Sequence, residues 1–263
     1  MALGKATAVV IGSFPLGESD RIVTFFSRER GKIRGVARAA RRMRSRFSGA
    51  LELLTLGHLV FFDTGRSDLV QVDHFDVIHP FGRVREDLER LAQAAWMAEC
   101  VGRLTADRDP NAAVYGLLLR GLKSVELGTP PRRVAVVFGL RCVEALGHRL
   151  RIDGCVLCGR RRPAERGTVA MDVEAGGTVC AACAVGADLL QVDAGSLALL
   201  RRLRSLSWEE ATGSRLGRAE RELRELLERQ VGGLIGQPTR TSRFVREIER
   251  FAPTLGVRDK PSR

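Results

Sequence analysis

Near Pro80 the spacing of apolar residues changes, and that change limits what this chain can become. Before it, the short runs Ala6–Phe14, Arg21–Ser27, Lys32–Ala37, Gly57–Asp63 and Leu69–Ile78 are rich in Val, Ile, Phe and Thr. Such residues suit a pleated, half-buried surface, and Pro15-Leu16-Gly17, Arg30-Gly31 and Thr64-Gly65 supply the turns between the runs. Five short strands with Gly-bearing turns predict a small barrel over residues 1–80. After Pro80 the period rises to about 3.6, the repeat of a helix. Leu88, Leu91, Ala92, Ala95, Cys100 and Leu104 then share a face. Asp109-Pro110 predicts the cap and first turn of a second helix running to about Glu126, and Thr129-Pro130 repeats that signal for a third, ending near Gly147. Further helices are expected at 194–205, 215–235 and Ser242–Phe251, before a polar tail, Arg258–Arg263. The expected fold is α+β: a five-stranded barrel, then a mainly α-helical domain over 81–263 interrupted by cysteine-bearing loops at roughly 153–185.

Those loops carry Cys155-Val156-Leu157-Cys158-Gly159 and Cys180-Ala181-Ala182-Cys183. A Cys-x-x-Cys turn lets both thiolates face one cation, and a Gly after the second cysteine tolerates the tight backbone. Two such turns complete a tetrahedral shell of four sulfurs, leaving no open coordination position, so the ion expected is structural. Ligand softness favours one Zn2+ held by Cys155, Cys158, Cys180 and Cys183; an iron–sulfur cluster also takes four thiolates. Cys100 and Cys142 stand alone on apolar helical faces and read as buried small hydrophobes.

Charge is the unusual feature of the composition: 43 Lys and Arg against 31 Asp and Glu, a net +12. The excess is local. Arg28, Arg30, Lys32, Arg34, Arg38, Arg41, Arg42, Arg44 and Arg46 are opposed within 28–46 only by Glu29. Lys32, Arg34 and Arg38 lie an even number of residues apart and can share one strand face, which the exposed connector Arg41–Arg46 would extend. Guanidinium forks match phosphate oxygens, so these seven residues are the expected DNA contacts. Phe47 fits either a base-stacking role or the core.

Catalytic patterns are missing. The sequence has no Walker A loop, Gly-x-Gly-x-x-Gly, His-Glu-x-x-His or Gly-x-Ser-x-Gly. His58, His74, His79 and His148 lack ligand spacing, and Glu18, Asp20 and Asp63 lack the spacing of a nuclease set. No enzymatic activity and no small-molecule substrate are expected. No apolar run reaches the roughly 18–20 residues of a membrane span, and the N-terminus lacks a secretory pattern, so a cytoplasmic location is expected.

Several blocks together resemble the RecO family of recombination mediators: Gly17-Glu18-Ser19-Asp20-Arg21-Ile22-Val23-Thr24, Gly31-Lys32-Ile33-Arg34-Gly35-Val36-Ala37-Arg38, Arg41-Arg42 and Ser45-Arg46-Phe47, with the two cysteine pairs. Leu16 departs from the family, in which an aromatic residue often stands there. The resemblance implies an OB-fold for the barrel. It implies binding of single- and double-stranded DNA and annealing of complementary strands, with RecR and the single-stranded-DNA-binding protein SSB as partners in loading RecA. A zinc-containing nuclease and an RNA-binding zinc protein are the alternatives. The resemblance also implies contact with the acidic, apolar-ended C-terminal tail of SSB. Arg120, Lys123, Arg132, Arg133 and Arg141 are candidates for its cationic rim, with Leu118, Leu122, Val136 and Phe138 as its floor.

Overall fold

A computed structural model describes residues 2–65, 67–161, 167–184 and 189–251, with side chains through 247. The expected tail Arg258–Arg263 lies outside the described residues.

The five N-terminal runs are strands: β1 (Ala2–Leu16), β2 (Asp20–Ser27), β3 (Gly31–Ala37), β4 (Leu56–Asp63) and β5 (Leu69–His79). They close in the order β1-β2-β3-β5-β4 back to β1, with β3 and β5 parallel and the other pairs antiparallel. That closed, OB-like ring leaves no open sheet edge. Ala8, Val10, Val23, Phe25, Ile33, Leu59, Val72 and Phe75 fill its interior. Val9, Ile11 and Phe26 point the other way, into the core of the helical domain. This is why Ala8–Ile11 reads as an unbroken apolar run: both faces of β1 are covered there.

The helical domain contains α1 (Gly82–Arg85), α2 (Leu88–Leu104), α3 (Ala112–Glu126), α4 (Pro131–Ala145), α5 (Ala194–Ser205), α6 (Trp208–Gly213), α7 (Ala219–Ile235) and α8 (Arg240–Phe251). Trp96, Met97, Leu118, Leu122, Phe138, Leu140, Leu226 and Leu227 lie in one buried cluster. Helix α3 starts later than Asp109-Pro110 predicts. Its cap is Asn111, whose side chain accepts from Val114 N, because residues 107–109 are held against the start of β3. Gly31 lies so close to the Asp109 backbone that a Cβ there would collide with it. Pro131, not Pro130, takes the first position of α4, and Thr129 caps nothing. The cysteine segment is more ordered than loops: β6 (Thr168–Asp172), β7 (Gly177–Val179) and β8 (Leu190–Asp193) form a small antiparallel sheet in the order β7-β6-β8.

The two parts are bolted together by polar contacts. Lys32 Nζ donates to Gly102 O (2.8 Å) and Thr105 O (2.6 Å) and pairs with Asp107 (3.1 Å). Arg108 pairs with Asp63 at 2.6 Å, His79 Nε2 lies 2.7 Å from Glu126, and Arg85 donates to Leu53 O and Thr55 Oγ1. No described helix is long and apolar enough to cross a membrane.

Candidate metal centre and nucleic-acid interface

The β6–β7 hairpin carries the second cysteine pair back onto the first. Strand β7 runs directly into Cys180, while Thr178 N donates to Arg151 O, Val156 N to Thr178 O and Thr178 Oγ1 to Gly154 O. Each knuckle closes its own turn, Gly159 N on Cys155 O and Cys183 N on Cys180 O, both at 2.9 Å. Gly159 adopts φ 73°, the left-handed conformation that its position after Cys158 predicts. The four Sγ atoms lie within 4.8 Å of one another, and Cys158 and Cys180 are 3.7 Å apart. A tetrahedral cation with metal–sulfur bonds of about 2.3 Å sets its sulfurs roughly 3.8 Å apart, so the donor set fits a single ion. A multinuclear cluster holds thiolates on separate irons and spreads them further.

The thiols also show why a cation belongs among them. Backbone N–H groups of Cys180 and Cys158 hold the Cys155 thiol down to about 6, and that of Cys183 lowers Cys180. The hydrogen bond to Cys180 pushes Cys183 up to about 12. Four thiolates cannot crowd together unless a positive ion offsets their repulsion. Cys100 and Cys142 are buried as expected, and burial raises both thiols, Cys142 to about 12.

The basic residues of 32–46 divide into two groups. Lys32, Arg34 and Arg38 do alternate outward along β3 and just past it. Yet the Lys32 ammonium is enclosed at the domain junction, and Arg34 pairs with the same Asp107 at 3.2 Å. Three acceptors surround Lys32 Nζ, so this expected DNA contact is a strut at the C-terminal end of α2, where a cation also meets the helix dipole. Arg38, Arg41, Arg42, Arg44 and Arg46 are exposed. The connector that carries them is tied to the β1–β2 turn: Arg41 N donates to Ser19 O, Arg41 Nη1 to Gly17 O, and Ala39 N to Asp20 Oδ1. The Ala39 N–H and the Ser19 hydroxyl, with Arg38 and Arg42 nearby, hold the Asp20 carboxyl below its usual range. Arg46 stacks 5.0 Å over Phe47 and lies 3.7 Å from Asp73. Phe47 itself is in the barrel core, which removes it from base stacking. The side chains of Arg42 and Arg44 make no hydrogen bond or ion pair among the described residues, and Met43 between them is fully exposed.

Among the described residues, single carboxylates such as Asp20 and Asp73 lie beside these cations, but no gathered set of three does. Asp20 and Asp63 pair with opposite ends of β1, at Leu16 and Ala2, and Asp63 is already bound by Arg108 and Gly65 N. Among the described residues, the four cysteines are the one gathered set of potential metal ligands.

The rim cations also divide. Arg120, Lys123 and Arg133 line an open groove of about 720 Å3 with Leu127, Pro130, Trp208 and Glu209. Arg132 instead pairs with Glu89 at 2.6 Å. Arg141 donates to Leu206 O and packs over the Trp208 ring, and burial lowers its pKa. Leu118, Leu122, Val136 and Phe138 are core residues and form no groove floor. The apolar surface is supplied by the exposed Leu127 and Pro130, with the buried Trp208 beneath them. The signal for the helix bearing Trp208 was present: Ser207-Trp208-Glu209-Glu210 is a capping box, and both of its reciprocal bonds form.

An OB-like barrel bearing exposed arginines, fused to a helical body with a four-cysteine centre, defines a two-domain α+β protein built on a nucleic-acid-binding fold. Residues 1–81 match the family described as Recombination protein O N terminal, and residues 85–241 match Recombination protein O C terminal. The chain is similar to "DNA repair protein RecO" of Anaeromyxobacter dehalogenans (strain 2CP-1 / ATCC BAA-258), with 38% identity over 260 residues, 98% of this chain and 100% of that protein. It is also similar to the RecO proteins of Syntrophus aciditrophicus (27% over 255 residues; 95% of this chain, 98% of that protein) and Symbiobacterium thermophilum (34% over 205 residues; 77% and 80%). The chain belongs to the RecO family of DNA repair and recombination proteins.

Proposed function

We propose that this protein is a non-catalytic recombination mediator. It binds single- and double-stranded DNA, anneals complementary strands and, with RecR, helps load RecA onto SSB-coated single strands. The observation that carries this reading is the connector Arg38–Arg46, whose exposed guanidiniums stand on an OB-like barrel with no gathered set of carboxylates beside them among the described residues. Annealing needs no hydrolysis. A cationic surface lowers the repulsion between two phosphate backbones and keeps both strands close. In this reading the four-cysteine ion is one structural Zn2+, and Lys32 supports the fold without touching DNA. Arg120, Lys123 and Arg133 flank the groove that takes the acidic SSB tail, with Leu127 and Pro130 as its apolar wall.

The test is annealing of labelled complementary strands with Mg2+ present. Duplex formation without cleavage supports the reading, cleavage favours a nuclease, and preference for RNA in competition favours an RNA-binding role. Replacing Arg42 and Arg44 with Ala should weaken binding of all sequences alike. It should also flatten the slope of log affinity against log salt by roughly 1.4 on single strands, about 0.7 for each lost phosphate contact.

A further inference from the structure

Strand β1 contains a bulge between Val10 and Gly12. Before it, the even-numbered Ala6, Ala8 and Val10 point into the barrel. After it the alternation is inverted: Ser13 pairs with the inward-facing Val23, while Phe14 pairs with Ile22 and is 51% exposed. A bulge re-aims the side chains that follow it, and here it turns a phenylalanine out of the core. Among the described residues the exposed aromatic side chains are Phe14 and Phe244. Both stand beside one cation. The Arg240 guanidinium lies 5.8 Å over the Phe14 ring, and Phe244 is one turn further along α8, on the same helix face as Arg240.

Phe14 and Arg240 border a crevice of about 560 Å3 between barrel and helices, which Arg21 and Arg103 also line, and Phe244 stands outside its lining, one helical turn beyond Arg240. Two acids share the crevice. Glu99 accepts from Arg240 N, Thr241 N and Thr241 Oγ1 and so fixes the start of α8, and Glu52 lies 3.8 Å from Arg21. The cations exceed the acids by one. The crevice adjoins the arginine connector through the β1–β2 turn, to which Arg41 and Ala39 are bonded.

We infer that this crevice and the adjoining face of α8 are a second contact for single-stranded DNA, in which Phe14 in the crevice and Phe244 beyond its edge stack on unpaired bases while Arg240, Arg103 and Arg21 meet phosphates. The inference rests on the DNA-binding reading above and adds what the connector lacks, an element that distinguishes unpaired bases from a duplex. Flat aromatic faces beside guanidiniums accept any exposed base, whereas a duplex keeps its bases stacked on one another. Leu16, two residues after Phe14, leaves the turn without an aromatic ring, and Phe14 supplies one on the same outward face.

The experiment compares an oligo(dT) strand and a duplex of equal length on the full chain. The variant Phe14→Ala/Phe244→Ala should bind oligo(dT) about tenfold or more weaker, with duplex affinity and salt slope unchanged. Arg103→Gln should instead flatten the single-strand slope by roughly 0.7. Phe14→Trp gives a second reading that needs no truncation: its fluorescence should be quenched by oligo(dT) and not by duplex. Wild-type affinity of the double variant together with unquenched tryptophan would overturn the inference. So would an equal loss on both DNA forms, or loss only of the SSB-tail peptide. If the wild-type chain binds neither DNA, the DNA-binding reading itself fails; if it binds and the double variant matches it, the crevice alone is removed.

Discussion

Lys32 and Arg42 carry the same charge and come from the same basic segment, but their surroundings give them opposite work. Lys32 is 13% exposed at its side chain and ringed by Gly102 O, Thr105 O and Asp107, whereas Arg42 faces solvent. Lys32→Met should therefore destabilise the fold by about 1–3 kcal/mol, because three acceptors lose their donor. It should leave the salt slope of DNA binding unchanged. Chemical denaturation and a salt titration on the same variant check both halves; a flattened slope would return Lys32 to the DNA interface. At the metal centre, Cys158→Ser removes one of four thiolates from a closed shell. Metal analysis should find close to one zinc per wild-type chain and well below one in the variant, with a lower melting temperature. Acid should release the ion as well, since protons compete with it for the thiolates.

At the scale of elements, all five barrel strands were legible because period-two alternation and Gly turns are local signals. The cysteine turns were equally legible, since four sulfurs at that spacing admit few other arrangements. What sequence could not give was whatever depends on a distant surface. Nothing in the alternation of Lys32, Arg34 and Arg38 announces that residues 107–109 will lie across the start of β3. The same contact moves the start of α3 from Asp109 to Asn111. The bulge that turns Phe14 outward has no local mark beyond Gly12. Helix α6 is a different case: its capping box was written in the sequence, but six residues are too few to show a helical period. Ser207→Ala should cost about 1 kcal/mol of stability and loosen Trp208, because the cap bond to Glu210 N is lost. Thermal melting measures the first effect, and increased hydrogen exchange over residues 207–213 the second; an unchanged melt would show that Trp208 packing alone holds the helix.

Over the whole molecule, barrel and helical body share one apolar core through Val9, Ile11, Phe26 and Leu54 and are tied across by Lys32, Arg108 and His79. The arginine connector belongs to the barrel, and the groove of Arg120, Lys123 and Arg133 is built from α3, α4 and α6 and their joining residues. Under the proposed function, a mediator that holds DNA while engaging a protein bound to that DNA benefits from two surfaces on one frame, since neither has to release for the other to act. Separate surfaces make separable variants. Lys123→Glu/Arg133→Glu should sharply weaken binding of an acidic, apolar-ended peptide while annealing of bare strands continues at nearly the wild-type rate, because charge reversal repels the peptide where it would dock. Arg132→Glu is the internal control: it is a neighbour in sequence but is turned toward Glu89, so peptide affinity should stay close to wild type. Peptide titration by fluorescence anisotropy, alongside an annealing time course, separates the cases. Equal loss in both assays would mean that DNA and peptide share the groove; equal loss from Arg132→Glu and the double variant would mean that net charge, and not the groove, attracts the peptide.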